Sequence, residues 1–188
     1  MHGTLQVAFV HGVPVQVDNA RPDIDTMMVL GRLERALALI ARYDPRRLRH
    51  LARDVSRIVV KLFPCRGAYF PADRTILTEL SFLAREAEFS DAVVASSILH
   101  ESVHARVDRM GHRLGFRHSA AHRGREERLC RRAEYAFGTR LPAAIGAPVL
   151  ERVGALRDLS DAEVAPEIDW PAAWAAKAQA DKRLSRPE

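Results

Sequence analysis

The residues best suited to chemistry are His100, Glu101 and His104, in the run Ser97-Ile98-Leu99-His100-Glu101-Ser102-Val103-His104-Ala105. On a helix, two histidines four residues apart lie on one face, one turn above the other. Two imidazole nitrogens placed this way can grip one Zn²⁺ and leave room for a third protein ligand and a water. Glu101 follows the first histidine and is expected to reach that water as a general base rather than to bind the metal. Zinc lowers the pKa of its water from 15.7 to about 7, so a carboxylate can take the proton near neutral pH.

A helix must carry this motif, and the flanking sequence supplies one. Ser90-Asp91 offers an N-cap and an acidic first turn. Ala92, Val93, Val94, Ala95, Ile98, Leu99 and Val103 make the segment apolar enough to be buried, and Gly111 offers a C-terminal stop.

A third ligand is needed. An extended motif with Gly at 107 and His at 110 is excluded, because these positions hold Val107 and Met110. The next helical stretch, Arg125 to Phe137 closed by Gly138, carries the remaining candidates. Glu127 lies 23 positions after His104, and the small Cys130 three residues on would let this helix approach closely. Glu126 lies nearer the middle of the apolar stripe of Leu129, Cys130, Ala133, Ala136 and Phe137, so helical phase alone favours it. Glu134 could hold a histidine ring from behind, and His122 is a further candidate. His112, His118 and His122 otherwise read as surface residues of a basic loop from Gly111 to Gly124, and Cys65 and Cys130 as core thiols.

The supporting elements follow in order. Leu5–Val10 and Val13–Val17 read as a strand pair around His11-Gly12. Asp25 caps a helix to Tyr43, and Asp44-Pro45 starts another to about Arg53. Val55–Phe63 is β-like. Ala68–Phe70 and Thr75–Leu80 are a strand broken by a bend, or two short strands, with Pro71 marking a sheet edge. Such an edge, just upstream of the motif helix, could hold an extended peptide by strand addition. Helices are also expected over Val149–Leu156 and Pro171 to about Ala180, with Trp170 and Trp174 packing on the body and the last residues frayed.

The 188 residues, 47% apolar, suffice for one domain, expected over 1–150, with a helical extension over 151–188. No apolar run is long enough for a membrane span, no leader is evident, and two cysteines make no disulfide framework, so a cytoplasmic protein is expected. The net charge of +5 comes mainly from arginine and is densest from Arg106 to Arg132. That density permits a nucleic-acid or acidic partner, but no stacking aromatics are interleaved, which favours a solvated face.

His100-Glu101-Ser102-Val103-His104 with a downstream helical Glu resembles the zincin superfamily of metallopeptidases. Glu127 followed three residues later by Cys130 resembles the gluzincin type, and the small ImmA/IrrE-type peptidase domains are the nearest named group. The resemblance covers roughly Val55 to Pro142. It implies an α+β fold with the motif helix packed beneath a small twisted sheet and its edge strand. It also implies Zn²⁺ held by His100, His104 and Glu127, Glu101 as the proton-transfer group, and a peptide or protein substrate. The alternative is a non-catalytic binding protein on the same scaffold, using the arginine-rich surface.

Overall fold

The computed structural model describes residues 4–111, 120–156 and 159–184. His112, His118 and the terminal residues expected to fray lie outside them. The chain is of mixed α and β class, with a five-stranded sheet in the order β1-β2-β3-β5-β4.

The first two strands, β1 (Thr4–Val10) and β2 (Val13–Asn19), form an antiparallel hairpin across His11-Gly12. Helices α1 (Thr26–Tyr43) and α2 (Pro45–Asp54) then cross over to β3 (Arg57–Lys61), parallel to β2. Their caps are those the sequence offers: Asp25 accepts from the Met27 amide, and Asp44 accepts from that of Arg47 ahead of Pro45. β4 (Gly67–Phe70) and β5 (Thr75–Glu79) are two separate strands. β5 lies parallel to β3, and β4 turns back antiparallel along β5 as the edge strand, ending before Pro71.

The short helix α3 (Leu80–Ala84) was expected to be strand at its start. It forms because the Glu79 carboxylate accepts from the Ser81 and Phe82 amides, a capping role Glu seldom takes. The motif helix α4 (Asp91–Arg109) begins at Ser90, whose hydroxyl accepts from the Val93 amide. Its first three turns are buried between α1, α2, α5 and the sheet. Asp91 forms ion pairs with the buried Arg32 of α1 at 2.9 Å and with Arg35 at 2.8 Å, which tie the start of α4 to α1.

Helix α5 (Ala120–Gly138) starts five residues before the expected Arg125, and α6 (Ala143–Gly154) six before the expected Val149. α6 spans the expected domain boundary at 150. After α7 (Asp161–Val164), helix α8 (Trp170–Leu184) lies against the body. Trp170 and Trp174 both meet Phe63, at 5.7 and 5.8 Å between ring centres, and Lys177 reaches Glu79 at 2.9 Å. One apolar core joins the sheet to α1, α4, α5 and α6. Among the described residues, no helix is long and apolar enough to cross a membrane.

Candidate metal centre

Helices α4 and α5 pack side by side, and the charged groups of both meet at their contact. The Nε2 atoms of His100 and His104 both point at Glu127, at 3.2 Å from Oε2 and 3.3 Å from Oε1. Behind the rings, His100 Nδ1 lies 2.7 Å from Glu134 Oε1, and His104 Nδ1 lies 2.8 Å from Glu126 Oε1. An ionised carboxylate can only accept, so each Nδ1 carries a proton and donates it. In a neutral ring the lone pair is then on Nε2, facing the common point. The three glutamates between which the sequence could not choose therefore take three different positions. Glu127 faces the histidine pair, and Glu126 and Glu134 each hold one ring from behind. His122 lies in the first turn of α5.

Cys130, read from sequence as a core thiol, is fully buried and has its sulfur 3.5 Å from His104 Nε2. One donor atom each from His100, His104 and Cys130 lie within 4.8 Å of one another. Its position three residues after Glu127 put it on the same face of α5, which was the available signal.

The spacings allow a test of whether a metal fits. With bonds of about 2.0–2.2 Å to nitrogen or oxygen and about 2.3 Å to sulfur, tetrahedral donors sit roughly 3.3–3.5 Å apart, and nitrogen to sulfur roughly 3.6 Å. The Glu127 contacts and the Cys130–His104 contact have those lengths. Two imidazoles, a carboxylate and a thiol suit a zinc-like ion better than calcium or magnesium.

Electrostatics point the same way. Burial opposes charge on His100, yet the Cys130 sulfur, Glu127 and Glu134 outweigh it and raise its pKa to about 10. His104 is raised well above its usual value against the same burial penalty by Cys130, Glu126 and Glu127. Burial would raise the Glu127 carboxyl, but the two histidines hold it well below the carboxylate range. The pocket is thus built to keep positive charge among its carboxylates.

Glu134 anchors the arrangement. It is fully buried and receives Ser96 Oγ at 2.7 Å, His100, Arg131 Nη1 at 2.7 Å and Arg152 of α6. Burial pushes its carboxyl up, but His100, Arg152 and Arg131 bring the pKa down to about 2. Arg131 stands three residues before Glu134 on α5, a partner that helical spacing offers from sequence, whereas Arg152 was not recognisable. Arg152 joins the site only through the packing of α6 on α5.

Glu101 is buried one residue along α4, beneath the edge strand. Burial raises its pKa, with His100 and His104 acting against the rise. Its side chain occupies the space a Cβ at Gly67 would need: such an atom would lie 3.1 Å from Oε1 and 3.2 Å from Cγ. Gly67 therefore lets β4 pass closely over Glu101. Gly67→Ala is expected to keep metal content and to lower any turnover that depends on Glu101 by up to about 10²-fold, since small displacements of a reacting group are costly. Unchanged kcat with bound metal would contradict this placement.

The centre opens on a cleft of about 840 Å³ lined by residues of α4, α5 and β4 together with Arg152, Leu156, Val164, Pro166 and Ile168. Tyr69 on β4 donates to Asp108 Oδ2 at 2.9 Å, and burial followed by Asp108 keeps this phenol protonated. In comparisons with known proteins, no protein-family model, curated protein or solved structure matches this chain.

Proposed function

We propose that this chain is a zinc-dependent hydrolase of the zincin kind, and that it acts on peptides. The observation that carries the reading is the convergence of both Nε2 atoms on Glu127 with each Nδ1 held by its own carboxylate. Metal-binding histidines characteristically have such partners behind them. His100, His104 and Glu127 would hold the ion. Bound zinc supplies a Lewis acid for a carbonyl oxygen and lowers the pKa of water to about 7.

The chain's own groups do the rest. Glu101 takes the proton of the attacking water and returns it to the leaving amine, and its burial makes the carboxylate more basic. Glu126 and Glu134 keep the rings oriented. β4 is an edge strand running beside Glu101, and its open side can pair with an extended peptide backbone. Both cysteines are free, which suits the reducing cytoplasm.

In the arginine-rich stretch, Arg106 and Arg109 face the buried Asp54 at 3.6 and 3.5 Å, and Arg131 is held by Glu134, so these three charges serve the fold and the site.

A library of unstructured peptides incubated with the zinc-loaded protein tests the proposal. Cleavage that stops on chelation and returns with zinc is expected. No cleavage of any peptide by protein shown to carry zinc would overturn the assignment as a peptidase.

A further inference from the structure

The metal reading above assigns three ligands and leaves Cys130 without a role. We propose that the Cys130 thiolate is a fourth protein ligand, which water must displace, or join as a fifth, in each turnover. This rests on the proposed metal site and concerns its ligand set.

Three observations converge on the sulfur. It lies 3.5 Å from His104 Nε2, close to the roughly 3.6 Å edge between nitrogen and sulfur on a tetrahedral ion. It shares a sphere of 4.8 Å with the donors of both histidines, whereas a core thiol needs only apolar neighbours. It is fully buried on α5, three residues after Glu127, a spacing that puts both on one face of the helix. On binding, the S–H proton passes to solvent as the sulfur–metal bond forms, and no oxidant or reductant is required.

The consequence follows from coordination number. Structural zinc sites have four protein ligands, whereas catalytic ones keep a position for water. Two imidazoles, one carboxylate and one thiolate fill a tetrahedron. Hydrolysis then requires the thiolate to leave, or the ion to accept a fifth ligand, before water can enter beside Glu101. Cys65, which lines the cleft, donates to the Gly67 carbonyl at 3.2 Å and is not in the cluster of His100, His104 and Cys130.

The test is the absorption spectrum of the intact protein loaded with Co²⁺, for wild type, Cys130→Ser and Cys65→Ser. We expect a near-ultraviolet sulfur-to-cobalt charge-transfer band in wild type and Cys65→Ser, lost in Cys130→Ser while its visible cobalt bands persist. X-ray absorption of the zinc-loaded wild type needs no variant and should show one sulfur at about 2.3 Å. Bound cobalt without the charge-transfer band, or zinc with only nitrogen and oxygen neighbours, would overturn the fourth ligand and leave the metal site standing. A wild type that binds neither ion would overturn both.

Discussion

Glu101→Gln is expected to retain a full complement of zinc and to lose peptide turnover by about 10²–10⁴-fold, the usual contribution of a positioned proton-transfer group. The two halves of this result have separate physical origins. Glutamine has the shape of glutamate, so the space beneath Gly67 stays filled. Glu101 belongs neither to the contacts that Glu127 makes with His100 and His104 nor to the cluster of His100, His104 and Cys130, so the ion keeps its ligands. Only the ability to accept and return a proton is removed. The loss should appear in kcat, because the substitution leaves the edge strand untouched. Turnover within twofold of wild type would remove Glu101 from the chemistry, and loss of zinc would place it among the ligands.

Glu134→Gln should destabilise the fold by about 3–5 kcal/mol, the range for removing one partner of a buried ion pair, and should weaken metal binding by about 10–100-fold, as for partners behind a ligand. A neutral amide whose oxygen takes the Oε1 position can still accept from His100 Nδ1 and Arg131, but its NH₂ group then faces Arg152 and Ser96 Oγ, and both arginines lose their counter-charge. Thermal melting measures the first effect, and competition with a chromophoric chelator the second. The pH dependence follows from the same contacts. The Glu134 carboxyl is near 4.5 in the unfolded chain and is lowered to about 2 in the folded one. Its contribution, on the order of 3 kcal/mol, is therefore present above about pH 5 and is lost as pH falls toward 2. In Glu134→Gln the stability curve should be flatter across that interval. An unchanged melting temperature and an unchanged acid slope would show that the carboxylate is not the anchor.

Much of this architecture was legible where local chemistry decides it. Asp25, Asp44 and Ser90 cap α1, α2 and α4 as their types suggest, and the four-residue spacing of His100 and His104 places both rings on one face. Pro71 marked the sheet edge that β4 forms. The misreadings fall where tertiary packing overrides local signals. α5 runs through Gly124, a residue that costs a helix about 1 kcal/mol and reads as loop, because its other face packs on α4. α6 includes Gly146 and Pro148, both apparent breakers. At Gly146 a Cβ would lie 2.4 Å from the Gly138 carbonyl, so the small residue is what allows α6 to approach α5.

The choice among Glu126, Glu127 and Glu134 was open for a related reason. Helical phase says which side of α5 a residue faces, but not which of two ring nitrogens it meets. That depends on the distance and tilt between α4 and α5, which Arg152, Ser96 and the small Cys130 help to set from three different elements.

Metal content by elemental analysis, for wild type beside His104→Ala, tests the central claim most directly. Both proteins should be prepared without chelators and offered zinc. The account predicts one zinc per chain in wild type and its disappearance in His104→Ala. Wild-type protein that binds no metal after zinc loading would contradict it and reduce His100, Glu127 and His104 to a buried ion-pair network.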